Sequence, residues 1–273
     1  MKHIITRIAR RLATIATTIV RFPRLFVRST LLLPEFCRGL NFADQWPLVD
    51  HAEAARDTPN NPLWEYFTKH NEGPGIWKWT HYFDAYHRHF CKFQGSSVNL
   101  LEIGIYSGGS LPMWLQYFGE RCQVFGVDIE EACKAYENER IHVFIGDQES
   151  REFWRRFRQS APEINIVIDD GGHTPEQQMT TLEEILPHMP PGGVYVCEDI
   201  HGISNKFTAF ATALVHSLNA MQLDGKPGVN SSNLQRALHS IHFYPYLLVI
   251  EIHDSLPERL IAQKHGTVWQ PFL

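Results

Sequence analysis

The stretch Ile166-Val167-Ile168-Asp169-Asp170-Gly171-Gly172-His173 decides how this chain folds. Three β-branched residues in a row read as a buried strand, which ends in paired acids, a glycine turn and a histidine. Gly193-Val194-Tyr195-Val196-Cys197-Glu198-Asp199 repeats the design, an apolar run delivering carboxylates at its end. In a doubly wound α/β sheet, the carboxyl ends of the strands form the edge at which ligands bind. Carboxylates gathered there repel one another unless a shared proton or a cation separates them. A hard divalent metal with oxygen ligands is the economical solution.

Short apolar runs at 98–103, 123–127, 142–145, 164–168 and 194–197 alternate with helical segments at 109–118, 130–136, 150–159 and 175–188. That alternation predicts an α/β fold built on a parallel sheet with right-handed crossovers. Two later runs, 241–244 and 247–252, flank Pro245-Tyr246 and predict an antiparallel hairpin closing the sheet. An insertion at 200–238, with a helix near 206–222 and a turn at 224–228, is placed to act as a substrate lid. Before the sheet, 44–94 is rich in aromatics and histidine and reads as two or three helices, after a linker-like stretch following Pro34. The expected division is a basic extension at 1–40, a helical lead-in or lid at 41–94, and a catalytic domain at 95–273.

The chain has 273 residues, 44% of them hydrophobic, enough for one α/β domain with extensions. Its net charge of −5 is unevenly spread. Residues 1–34 hold Lys2, Arg7, Arg10, Arg11, Arg21, Arg24 and Arg28 and no acid, leaving an acidic body. An acidic body argues against a nucleic-acid partner. In the leader, Ile4, Ile5, Ile8, Leu12, Ile15, Ile19 and Val20 recur at near-helical spacing. Its charge-free run is well short of the ~20 residues a membrane-spanning helix needs. Three readings stay open for it: an organelle transit sequence, an interfacial helix on anionic lipid giving peripheral membrane contact, or a helix packing on a partner subunit in a homo-oligomer. Pro23 and Pro34 would break any single helix there. The five cysteines are odd in number and contain no C-x-x-C, which fits a reduced, cytoplasmic setting.

The first strand runs into Leu101-Glu102-Ile103-Gly104-Ile105-Tyr106-Ser107-Gly108-Gly109-Ser110. A glycine turn between strand and helix presents free amides and allows close ligand approach. Tyr106 stands where the dinucleotide fingerprint needs its second glycine, which counts against a nicotinamide or flavin cofactor. Glu102 suits a ligand bearing an ammonium. Asp128, at the tip of the second strand, can accept ribose hydroxyls or cap the next helix. Asp147 and Gln148 end the third strand, where a carboxylate and an amide can meet an adenine edge.

Together these residues resemble the class I S-adenosylmethionine-dependent methyltransferases. The similarity is greatest to the metal-dependent sugar O-methyltransferases of macrolide biosynthesis, with the cephalosporin hydroxylase-like group as relatives. It spans roughly 75–255 and takes in Trp77-Lys78-Trp79-Thr80-His81-Tyr82, the glycine turn, Val127-Asp128-Ile129, Gly146-Asp147-Gln148, Asp169-Asp170-Gly171-Gly172-His173 and Glu198-Asp199. The resemblance implies a Rossmann-like methyltransferase fold with a mostly parallel seven-stranded sheet and an N-terminal helical extension. It makes Asp170, Glu198 and Asp199 the Mg2+ ligands and His173 the general base. Glu102, Gly104, Tyr106, Ser107, Gly108, Ser110, Asp128, Asp147, Gln148 and Asp169 would line the S-adenosylmethionine site, and a small hydroxylated molecule would be the methyl acceptor. Trp79, His81 and Tyr82 are weaker site candidates. Two rival readings are a hydroxylase-like or NAD(P)-dependent oxidoreductase and a non-catalytic membrane-associated scaffold.

Overall fold

The computed structural model describes residues 2–47, 61–202, 204–221, 229–255 and 258–268. The chain divides into two compact units, Met1–Asp57 and Thr58–Leu273.

The first unit holds α1 (Lys2–Arg21), α2 (Pro23–Leu31) and α3 (Leu33–Asp44). The helical run breaks at Phe22 and Leu32, so each proline falls in the first turn of a new helix. A proline's missing N–H costs little there, because the first amides of a helix have no intrahelical partner. This corrects the linker expected after Pro34, since that proline starts a helix instead of ending one. No described helix is long and apolar enough to cross a membrane.

The second unit opens with α4 (Pro62–Lys69) and α5 (Tyr82–Phe90). Asn61 caps α4 by accepting from the Leu63 and Trp64 amides. There follow β1 (Val98–Ile103), α6 (Ser110–Phe118), β2 (Cys122–Asp128), β3 (Ile141–Ile145), α7 (Arg151–Ser160), β4 (Ile166–Asp169), α8 (Pro175–Ile185) and β5 (Val194–Cys197). The segment expected as a helix at 130–136 is a 3-10 helix, Glu131–Tyr136. Then come α9 (Lys206–Leu218), β6 (Val229–Asn230), α10 (Asn233–Ala237), β7 (Leu238–Tyr244), β8 (Leu247–Ile252) and β9 (Arg259–Leu260). Asn205 caps α9, which stops at Leu218, short of the expected end. The turn expected at 224–228 lies outside the described residues.

Seven strands form one sheet in the order β3-β2-β1-β4-β5-β8-β7. The five from β3 to β5 are parallel, and β8 and β7 add an antiparallel hairpin at one edge. The chain moves outward from β1 to β3, then returns to start β4 on the other side of β1. That reversal opens a crevice above the strand ends.

Side-chain alternation sorts each strand between two cores. Val98, Leu100, Ile166, Ile168, Val194 and Val196 pack with α5 and α6 residues such as Tyr86 and Trp114. Leu101, Ile103, Val167, Tyr195 and Cys197 face the opposite layer, with Trp154, Leu182 and Phe207 of α7, α8 and α9. Burial on both faces is the reason these strands are continuous apolar runs.

Candidate active site

The same alternation decides where each strand-tip acid points. Glu102 continues the Val98–Leu100 face and Glu198 the Val194–Val196 face, so both carboxylates emerge on the α5 side. Asp169 continues the Val167 face and points to the opposite layer. There its Oδ1 accepts from Gln148 Nε2 at 2.5 Å and its Oδ2 from the Tyr195 hydroxyl at 3.1 Å. Burial pushes the Asp169 carboxyl up to about 7 despite those two donors.

At the tip of β1 the glycine turn is forced by close approach. Gly104 has φ 87°, and a Cβ there would run into the Asp170 carbonyl oxygen. Asp170 N in turn donates to Ile103 O at 3.0 Å, which locks the tips of β1 and β4 together. Tyr106, at the position of the missing fingerprint glycine, adopts φ 49°. That backbone cost is tolerated because Asp128 Oδ2 accepts from the Ile105 and Tyr106 amides, at 2.8 and 3.0 Å. Asp128 Oδ1 accepts from Glu130 N at 3.0 Å. Three donors leave this carboxylate little further capacity, so it braces the glycine turn as well as facing the ligand space.

A cavity of about 1040 Å³ lies above these strand tips. Gly104, Tyr106, Ser107, Ser110, Asp128, Asp147 and Gln148 line it, together with Asp170, His173, Glu198 and Asp199. Glu102, Gly108 and Asp169 do not, although the sequence reading put all three in the cofactor wall. Glu102 is fully buried, with Oε2 accepting from Ser110 Oγ at 2.8 Å. Gly108 backs onto the Tyr136 ring. Asp169 sits behind the wall, and the helix that follows the acid turn, α8, is capped by Thr174. Gln148 uses both ends of its amide, donating to Asp169 and accepting from Gly172 N at 2.9 Å, so it ties β3 to the acid turn.

The floor of the cavity holds a group that sequence reasoning missed. Lys78 has a side chain only 3% exposed, and its Nζ lies 2.6 Å from Asp170 Oδ2, 3.0 Å from Glu198 Oε1 and 3.7 Å from Glu102 Oε1. Burial alone would lower its pKa, but the charges of Asp170, Glu198 and Glu102 outweigh burial and raise it. The reciprocal effect on Glu198 is incomplete. Burial and the charge of Asp170 push this carboxyl up, against the pull of Lys78 and of Tyr86, whose hydroxyl donates to it at 2.5 Å. Glu102 is likewise raised by burial. One ammonium does not neutralise three carboxylates, and the surplus negative charge calls for another cation or a proton. The only hint in the sequence was a lone lysine inside the aromatic run Trp77-Lys78-Trp79.

Asp199 stands apart from that knot. Its φ of 55° turns the chain sharply after β5 and brings its carboxylate beside the Asp170–His173 turn. Oδ1 accepts from Trp79 Nε1 at 2.9 Å and from the Tyr82 hydroxyl at 3.0 Å. His81, the third candidate from that stretch, instead places Nε2 2.9 Å from Pro245 O. His173, also at φ 55°, points Nε2 between the acids, 3.9 Å from Asp170 Oδ1 and 3.6 Å from Asp199 Oδ2. Asp170, His173 and Asp199 each offer a ligand atom within 4.8 Å of the other two. His173 Nδ1 is buried without a hydrogen-bond partner. All three expected metal ligands line the cavity, but they are differently engaged: Asp170 and Glu198 share Lys78, Glu198 also accepts from Tyr86, and Asp170 Oδ1 and Asp199 Oδ2 face His173. The donor set and surplus charge fit a small hard cation next to the glycine turn.

A mostly parallel seven-stranded sheet, with a glycine turn and acid-bearing strand tips around one cavity, defines a Rossmann-like methyltransferase domain. Residues 101–200 match the family model described as a methyltransferase domain. The chain is 31% identical over 226 residues to 8-demethyl-8-alpha-L-rhamnosyl tetracenomycin-C 2'-O-methyltransferase of Streptomyces olivaceus, which covers 76% of this chain and 59% of that protein. It is 30% identical to mycinamicin VI 2''-O-methyltransferase of Micromonospora griseorubida, over 61% of this chain and 46% of the relative. Among solved structures, the MycE methyltransferase of the mycinamycin pathway, in complex with Mg and SAH, aligns with a TM-score of 0.58 and 26% identity, covering 71% of this chain and 54% of that one. The chain thus spans about half the length of the relatives it matches.

Proposed function

We propose that this chain is an O-methyltransferase that moves a methyl group from S-adenosylmethionine to a hydroxyl of a sugar-bearing or otherwise polyhydroxylated small molecule, with Mg2+ assistance. One observation carries the reading: Asp170, His173 and Asp199 converge in the cavity that the glycine turn also lines. The relatives' names as sugar O-methyltransferases support it, as does the Mg and SAH bound by MycE. Asp170 and Asp199 would hold the metal, with the free oxygen of Glu198 within the same acid group. S-adenosylmethionine, when bound, supplies a methyl on sulfonium, and magnesium lowers the pKa of the acceptor hydroxyl.

The chain's own residues would perform two tasks. Gly104, Tyr106, Ser107 and Asp147 line the donor side of the cavity. Orienting donor and acceptor in line contributes much of the acceleration, up to ~7–11 kcal/mol. His173 Nε2 would take the hydroxyl proton, so that the oxygen could accept the methyl carbon that the bound donor would supply, its sulfur being left as a neutral thioether. A base so placed is worth ~10²–10⁴-fold in rate.

A donor-consumption assay across diol-bearing metabolites, with and without chelator, tests the reaction. His173→Ala separates two roles: as base, it loses rate while magnesium affinity stays; as ligand, it loses affinity as well. Turnover that survives in Asp170→Asn, or that ignores chelator, would defeat the metal assignment.

A further inference from the structure

A second group of ligating side chains lies outside the cavity lining, at the antiparallel end of the sheet. His89 on α5, His242 on β7 and Glu251 on β8 each present a donor atom within 4.8 Å of the other two. His89 Nδ1 is 3.1 Å from Glu251 Oε1, and His242 Nε2 is 3.8 Å from Glu251 Oε2. The two imidazole centroids are 4.6 Å apart. Strand register produces this grouping. Ser240 pairs with Glu251, and His242 and Tyr244 follow on the same face at two-residue spacing, the face against which α5 packs.

We propose that His89, His242 and Glu251 form a three-ligand site for a borderline transition-metal ion, zinc above all, distinct from the catalytic cavity. Two imidazoles and one carboxylate with an open fourth position are a donor set that zinc takes and magnesium does not favour. A tetrahedral ion with bonds of ~2.0–2.1 Å needs donors roughly 3.4 Å apart. His89 Nδ1 and His242 Nε2 lie 3.1 and 3.8 Å from different Glu251 oxygens, so the carboxylate must turn to present one oxygen to an ion held by both imidazoles. The supporting shell is also present. With Nδ1 as the ligand atom, His89 Nε2 is left to donate to the Tyr244 hydroxyl, 2.9 Å away, which fixes the ring and its tautomer. His242 is 39% exposed and Glu251 19%, which gives an ion a way in from solvent. One local change is required. Ser240 Oγ, now 2.9 Å from His242 Nε2 and 3.0 Å from Glu251 Oε2, must release both atoms. Lys92 Nζ, 3.9 Å from Glu251 Oε1 and 46% exposed, competes for that carboxylate and must swing into solvent when an ion binds. Because α5 also carries Tyr82 and Tyr86, an ion here would brace the helix that holds Asp199 and Glu198.

The test uses the full chain after chelator treatment, titrated with Co2+ and Zn2+ in excess Mg2+ and S-adenosylhomocysteine to occupy the catalytic cavity. The expected result is one equivalent of Co2+ with the visible absorption of a four- or five-coordinate site, displaced by Zn2+. His242→Gln should lose that equivalent, and Tyr244→Phe should keep it with about tenfold weaker affinity. Absence of stoichiometric uptake by the unaltered chain overturns the proposal, whatever the variants do. So does equal uptake by His242→Gln and the unaltered chain.

Discussion

Lys78 is the residue on which the acid cluster depends. Its ammonium sits among Asp170, Glu198 and Glu102 (2.6, 3.0 and 3.7 Å), and without it three carboxylates share a buried space with no lysine or arginine paired to them among the described residues. Removing one partner of a buried ion pair costs ~3–5 kcal/mol, because the remaining charge is left uncompensated. Lys78→Met is therefore expected to lower the unfolding temperature markedly. Mg2+ should raise that temperature more in the variant than in the unaltered chain, since the ion replaces a missing counter-charge. Thermal denaturation with and without Mg2+ measures both effects, and an equal response to Mg2+ would contradict the charge argument. The acids of this cluster were legible because apolar runs ending in carboxylates are local patterns. Lys78 was not, since its partners Asp170 and Glu198 are 92 and 120 positions away in the chain.

At the scale of elements, the tips of β1 and β4 meet closely in the site. Gly104 combines φ 87° with a carbonyl oxygen where a Cβ would go, so even alanine forces the two strand tips apart. Gly104→Ala should lose S-adenosylhomocysteine binding while helical content is retained, measured by calorimetry and circular dichroism on one sample. On the far layer, α7 and α8 are joined by Arg151 and Arg158 against Glu183 and Glu184, with Arg158 Nη1 2.8 Å from Glu184 Oε2. Burial tends to raise the Glu184 carboxyl, but the two arginines outweigh it and hold its pKa below the ordinary value. A carboxyl lowered on folding stabilises above its unfolded pKa, and that contribution is lost as pH falls through the folded pKa. Glu184→Gln should thus cost about 1 kcal/mol or less at neutral pH, with the difference closing in strong acid. Urea unfolding at the two pH extremes checks the sign. The helices and strands themselves were largely legible, because 3.6- and 2-residue periodicities are set by neighbours in sequence. Among the exceptions, α3, α10, the two-residue strands β6 and β9 and the 3-10 segment Glu131–Tyr136 turn on capping and short-range geometry that composition does not reveal.

Across the whole molecule, every residue lining the large cavity belongs to the unit Thr58–Leu273. A chain starting at Thr58 should therefore bind S-adenosylhomocysteine with unchanged affinity, and a large loss by calorimetry would make the leader part of the site. In the leader, Leu12, Ile15, Ile19 and Val20 are exposed on a helix carrying arginine and no acid. The full chain should co-sediment with anionic vesicles more than the shortened one, and salt should weaken the difference. By itself the sequence determined the alternating order of strands and helices, the antiparallel close of the sheet and the strand tips that bear acids. Each of these is written in residues adjacent or a few positions apart. Only the tertiary structure decided which acids meet: Glu102, Glu198 and Asp170 around Lys78, Asp170 and Asp199 beside His173, and Asp169 turned away to Tyr195. The reason is physical. Strand pairing and side-chain alternation fix the face on which each carboxylate emerges, and the lead-in segment Trp77–Tyr86 brings the groups that meet it from a distant part of the chain.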